Sequence, residues 1–207
     1  KSLLVCSAMA FRILCAYAVG FFNSAHARDA CQGRGSPLDA LHLRDWNLTA
    51  GSDFFELLEG HWHVLSSINW FERGWSCFEG DFKRTADGQN LTCAWQFNVP
   101  ALGQQKMTDQ LSYPPNSTLL DKLSLQSLSM PRVLRNLLSE ADRPVRVIGV
   151  SPPPGQIAWA VLFDCANWIT PSGELFVLSR APSLVDKDLS LIHKLVVDNG
   201  IRDFTLL

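Results

Sequence analysis

Two histidines, His61 and His63, flank Trp62 in the segment Gly60-His61-Trp62-His63-Val64. In an extended chain, residues i and i+2 share a face, so the pair has the spacing of two metal ligands. The same alternation turns Trp62 inward and both imidazoles toward solvent, with no third ligand adjoining them in sequence. No metal site is therefore expected. Glu79, Asp81 and Asp164 are the candidates for a proton-donating acid. Carboxylates in such settings are most often solvated charges, so no catalytic residue is assigned. Six cysteines stand at positions 6, 15, 31, 77, 93 and 165. The absence of a C-x-x-C pair argues against zinc and thioredoxin-type redox chemistry. Two of the six fall in a hydrophobic leader. The other four, Cys31, Cys77, Cys93 and Cys165, form an even set that reads as two disulfides with three possible connectivities.

The elements that must position these groups are short strands. Trp62 and Val64 alternate with His61 and His63, and Phe78, Gly80 and Phe82 alternate with Glu79, Asp81 and Lys83. Asp87-Gly88 then supplies a turn suited to positive φ. Leu91, Cys93, Trp95 and Phe97 follow, alternating with Thr92, Ala94 and Gln96, as in a hairpin with one buried side. Between Pro100 and Ala141 no single period holds and Pro114, Pro115 and Pro131 interrupt, so loops, a short strand or two and a helical turn near 131–140 are expected. A second hairpin runs through 145–150 and 157–163, joined by a proline-rich turn, and 174–180 makes the final strand. Leu184, Leu189, Ile192 and Val196 then keep helical spacing, with Asp186 and Asp188 in the first turns and Asn199-Gly200 as a stop. The pattern is that of an all-β sandwich or barrel closed by one amphipathic C-terminal helix.

The 207 residues suit one main domain, 47% hydrophobic and 18% charged, with a formal net charge of -2. Such a balance gives no electrostatic reason to bind nucleic acid. Residues 1–28 contain the apolar run Ile13 to Phe22, with Arg12 before it and Ala25-His26-Ala27 after it. This is the layout of an export signal cut after Ala27, or alternatively of a membrane anchor, which would hold Arg12 at costly depth. Residues 29–53 read as a polar N-terminal arm, and 54–207 as the strand-rich domain. N-x-S/T sequons at Asn47, Asn90 and Asn116 are compatible with a secretory route.

A first strand opening Gly60-His61-Trp62, a last strand ending at Arg180 and a helix after it together resemble the lipocalin family. The resemblance implies an eight-stranded antiparallel up-and-down barrel with a C-terminal α-helix. In that arrangement Trp62 closes the floor and Arg180 lies over its ring, joined by apolar burial and a cation–π attraction. Phe78, Phe82, Trp95, Phe97, Trp159, Phe163 and Phe176 then become candidates for lining a site that takes one apolar guest.

In patches from Phe54 to Leu207 the chain is also similar to the lipocalin domain of violaxanthin de-epoxidase and its relatives. The patches are Gly60 to Asn69, Cys77, then Asp164, Cys165, Asn167 and Trp168, and the closing helix with Gly200, Arg202, Asp203 and Phe204. That likeness implies a xanthophyll, carotenoid or other lipid as ligand, in the thylakoid lumen of a plastid. The chain departs from the enzymes' pattern at Ser76 and Phe78, where they carry an aspartate and a glutamine, and around Trp168, where they carry an acid and a tyrosine. Non-catalytic binding is the first expectation. An ascorbate-dependent de-epoxidase is the second. The third is an interaction subunit of a photosystem complex, held to the membrane by the leader or by the aromatic loop containing Trp70, Phe71 and Trp75, which also suits a lid over the barrel mouth. A secreted, extracellular protein is the alternative to the lumen.

Overall fold

A computed structural model describes residues 42, 44–46, 52–65, 76–100, 102–113, 122–129, 143–164, 174–199 and 201. Eight strands follow one another: β1 Gly60–Val64, β2 Ser76–Arg84, β3 Asn90–Val99, β4 Gly103–Ser112, β5 Lys122–Ser127, β6 Arg143–Val150, β7 Trp159–Asp164 and β8 Glu174–Ser179. Each pairs antiparallel with the next, and β8 returns to β1 through His63↔Ser179 and Val64↔Leu178, closing the barrel. Closure leaves no free sheet edge. Helix α1, Ser52–Leu58, precedes the barrel and helix α2, Asp186–Asp198, follows it.

The β2–β3 hairpin shows how the sequence sets the register. Its exposure alternates along both strands, and a one-residue slip would expose Phe82 and Trp95 together. The turn is fixed locally. Thr85 Oγ1 donates to Asp87 Oδ1 at 2.5 Å, the Gln89 N–H donates to the same oxygen at 3.0 Å, and Gly88 takes φ +68°. Asp-Gly chemistry suits this geometry because only glycine adopts the left-handed region without steric cost.

Three features differ from the sequence reading. The irregular stretch after Pro100 contains a full ten-residue strand, β4, paired with β3 from Val99↔Gly103 to Asn90↔Ser112. Of its residues 103–108 only Met107 carries an apolar side chain, half-buried against the inner core, and the others are exposed or half-buried, so backbone pairing more than apolar alternation holds this half of the strand. Helix α1 was not anticipated. Phe54, Phe55 and Leu58 are fully buried, and their i, i+1, i+4 spacing places them on one helical stripe. Within the stretch read as an arm, Arg44–Trp46 forms a 3-10 turn, and the Trp46 indole N–H donates to Ser151 O at 2.8 Å. The helical turn expected near 131–140 lies outside the described residues.

Two apolar cores result. The inner one gathers α1 with the inward side chains of all eight strands, among them Trp62, Phe82, Trp95, Leu123, Val147, Leu162 and Leu178. The outer one lies between the barrel wall and α2. There Ile192, Leu195 and Val196 cover Leu65, Ile148, Trp159, Val161, Phe163, Leu175 and Val177. As a consequence β7 and β8 are buried on both faces along their whole length.

Candidate ligand-binding site

The closed end is built on Trp62 and Arg180. Trp62 is fully buried, and its indole N–H donates to Leu58 O at 2.7 Å, tying β1 to α1. The Arg180 guanidinium carbon sits 3.7 Å from the indole centroid, within cation–π range. The guanidinium also donates to Leu57 O at 3.0 Å, Glu59 O at 2.6 Å and His61 O at 3.0 Å. Burial lowers its pKa from the ordinary value. Gly60 takes φ +107°, which calls for glycine, and a Cβ there would fall 2.9 Å from Arg180 Nη1 and push the guanidinium from its place. Glu59 accepts from the Arg84 backbone N–H at 3.0 Å and from Arg84 Nε at 3.1 Å, lashing the start of β1 to the end of β2. The Arg84 backbone hydrogen bond, chiefly, holds the Glu59 pKa below its usual value.

Above this floor the inward aromatic side chains converge on Trp95. Its ring lies 5.4 Å from Phe78, 5.0 Å from Phe82 and 5.8 Å from Phe176, the last stacked at 19°. Phe78 reaches Phe97 at 5.2 Å, and Trp62 reaches Phe82 at 6.3 Å. These separations fall in the range of favourable aromatic pairs. Gly80 makes the convergence possible, because a Cβ there would meet Trp95 Cε3 at 2.7 Å and Phe82 Cε1 at 2.9 Å.

Of the seven aromatic residues selected from the sequence, the structure brings Phe78, Phe82, Trp95, Phe97 and Phe176 together in the inner core. Trp159 and Phe163 are corrected: they point outward, beneath α2. Their neighbours Ala160 and Leu162 face the interior instead. The physical reason is the double burial of β7, where period-two reasoning cannot tell one apolar face from the other.

The interior also holds acids. Asp109, only 2% exposed, accepts a hydrogen bond from the Trp95 indole N–H at 2.9 Å. Asp164 and Glu174, paired across β7 and β8, are both buried. They continue the inward faces carrying Leu162 and Phe176, two residues along their strands. The sequence singled out Asp164 but missed Asp109 and Glu174. The available signal for Asp109 was its place between Met107 and Leu111 in strict alternation. Glu79 and Asp81 lie on the outer wall, half-buried and exposed respectively, opposite His63 and His61.

The disulfide expectation is corrected for two of its four cysteines. Cys77 and Cys93 both carry free thiols. Cys93 points into the inner core, where burial first and the Asp109 charge second push its pKa well above 9.0. Cys77 lies on the exposed side of β2. Cys31 and Cys165 lie outside the described residues, as do the leader 1–28 and Trp70, Phe71 and Trp75. Among the described residues no helix is long and apolar enough to cross a membrane.

No family model matches the chain, and no curated protein does. Solved structures do. Lobster apocrustacyanin A1 superposes with a TM-score of 0.55 at 13% identity, covering 73% of this chain and 77% of its own. Insecticyanin from the tobacco hornworm Manduca sexta gives 0.52 at 12%, covering 76% and 82%. The bovine lipocalin allergen Bos d 2 gives 0.51 at 12%, covering 73% and 93%. At such identities the likeness is one of architecture, and with the closed eight-stranded antiparallel barrel and its C-terminal helix it establishes that this chain has the lipocalin fold.

Proposed function

We propose that the barrel is a non-catalytic carrier of one apolar small molecule, a carotenoid or another lipid, whose polar end carries a hydrogen-bond donor. The observation that carries this reading is Trp95, whose ring gathers Phe78, Phe82 and Phe176 while its N–H engages the buried Asp109. Aromatic faces suit a conjugated or aliphatic chain. A carboxylate accepts more than one hydrogen bond, so a ligand hydroxyl can donate to Asp109 beside its existing partners. A hydroxylated carotenoid, a xanthophyll, combines both features and connects with the similarity to the de-epoxidase relatives at Gly60 to Asn69. Opening an epoxide needs a proton donor at the reacting oxygen. Of the three acids the sequence offered, Glu79 and Asp81 face away from the interior and Asp164 alone faces it, buried, so the enzyme reading rests on Asp164 and is met by the violaxanthin assay below. The apolar run Ile13 to Phe22 with Ala25-His26-Ala27 supports export, to a plastid lumen or to the secretory route.

The test is to purify the protein from its source, record its visible spectrum, and titrate it with violaxanthin, zeaxanthin and a fatty acid while following tryptophan fluorescence. A bound pigment, or saturable quenching by a xanthophyll, is the expected result. Quenching by the fatty acid alone would move the ligand to simple lipids. Protein that is colourless and takes up none of the three would overturn the reading, and conversion of violaxanthin in the presence of ascorbate would replace it with the enzyme.

A further inference from the structure

We infer that the outer wall of the barrel, at the β1–β2 seam, carries a divalent transition-metal site formed by His61, His63 and Glu79. The sequence offered only two of these ligands, and the fold supplies the third. The β1–β2 register sets His61 opposite Asp81 and His63 opposite Glu79. Since the histidines share one face of β1 and the carboxylates the same face of β2, the four side chains form a square on the outside of the wall. One ligand atom from each of His61, His63 and Glu79 lies within 4.8 Å of the others.

That spacing is close to what a tetrahedral ion requires. At a zinc–nitrogen distance of about 2.1 Å, two ligand atoms stand roughly 3.4 Å apart, so contraction by about 1.4 Å completes the set. His63 Nδ1 and Glu79 Oε1 are already 3.4 Å apart. The remaining closure falls on His61, whose ring lies 5.0 Å from that of His63 at 86° and whose side chain is 46% exposed, so that it can shift together with its Asp81 partner without disturbing the core.

Asp81 provides an independent observation. Its Oδ1 lies 2.9 Å from His61 Nδ1. A carboxylate only accepts, so Nδ1 is the donor, and in the neutral form of the ring Nε2 then keeps its lone pair for an ion. A carboxylate behind a histidine is the usual orienting partner of a metal-bound imidazole. Asp81 is thus a positioning residue, and the donor set is two imidazoles and one carboxylate. This donor set suits Zn2+ or Cu2+, with one position open to water, and is ill-matched to Ca2+ or Mg2+, which prefer oxygen. The site faces away from the inner core, so it is independent of the ligand carried there.

The test titrates the full chain with Zn2+ alone by calorimetry in a non-chelating buffer, alongside thermal unfolding. One Zn2+ per chain and a raised Tm are expected. His61→Gln combined with His63→Gln should abolish the binding, and Glu79→Gln should weaken it at least tenfold. Asp81→Asn should weaken it by about 10–100-fold, as loss of an orienting partner does elsewhere. Cys77→Ser should leave it unchanged, which separates this site from one built on the exposed thiol. A measurement on the unaltered chain needs no variant at all: Cu2+ should broaden the amide resonances of residues 61–63 and 79–81 before any others. No Zn2+ uptake, uptake indifferent to the histidine pair, or broadening first at another place would each overturn the inference.

Discussion

Trp95 and Trp159 are both buried indoles on barrel strands, yet they belong to different cores. Trp95 lies on β3, whose exposure alternates residue by residue, and it faces the interior with Phe78, Phe82 and Phe176 around it. Trp159 lies on β7, buried on both faces, and looks outward to α2. The lesson is that the barrel wall has a wet half and a covered half. Inward direction can be read from the sequence only on the wet half, where water marks the opposite face. On the covered half, a helix that follows in sequence removes that mark.

The difference predicts a separation of stability from binding. Trp159→Ala should cost about 3–5 kcal/mol of folding stability, the usual cost of emptying a large core site, and the surviving folded protein should bind its apolar ligand unchanged. Trp95→Ala should weaken that ligand at least tenfold, about 1.4 kcal/mol, besides destabilising the fold. Urea unfolding and a ligand titration on both variants measure the two effects, and Phe163→Leu repeats the outer-core test more gently should Trp159→Ala fail to fold. Equal loss of affinity from the outer and inner substitutions would erase the distinction between the cores.

A smaller change sharpens the inner half alone. Gly80→Ala adds one methyl group against Trp95 at 2.7 Å. The indole is large, stacked on Phe176 and held by Asp109, so it cannot swing aside as a flexible chain end would. Overpacking of this kind typically costs about 1–3 kcal/mol. Thermal unfolding should show that loss together with a shifted tryptophan emission, since the ring must move. A neutral Gly80→Ala variant would mean that Trp95 is loosely seated and does not organise the interior.

The same division explains what the sequence could disclose. Gly60, Trp62 and Arg180 were legible through the resemblance to the lipocalin family, and the structure supplies the physical requirements behind that pattern: a positive φ, an inward indole and a guanidinium over its ring. The β2–β3 hairpin was legible because Asp87-Gly88 fixed the turn and alternation fixed the faces. β4 was not, because Met107 is the one apolar side chain among its first six residues, too few to show a period, and the ladder to β3 orders them. Helix α1 was hidden by its brevity, two turns being too short for a period to declare itself. Asp109 was hidden because a carboxylate on a strand is ordinarily solvated. Glu79 was assigned to the outer face correctly, but its meeting with His63 depends on the β1–β2 register, which no local signal reports.

The two described cysteines carry the inside–outside contrast to its finest scale. Alkylation at pH 8 followed by peptide mass mapping should label Cys77 quickly and Cys93 only at the rate of global unfolding, because the reactive thiolate of Cys93 is suppressed by burial and by Asp109. The same suppression has a thermodynamic signature. With the folded pKa raised, the unfolded chain loses its proton first as pH increases. Cys93 therefore leaves stability intact below its ordinary value of 9.0 and reduces it above that value, until the raised folded pKa is reached. The limiting slope for one group is about 1.4 kcal/mol per pH unit. Cys93→Ala should remove that part of the alkaline slope in denaturant unfolding curves taken from pH 8 to 11, whereas Cys77→Ser should leave it in place. Fast labelling of Cys93, or an alkaline slope indifferent to its removal, would show that water reaches the interior beside Trp95 and that the inner core is as wet as the outer wall.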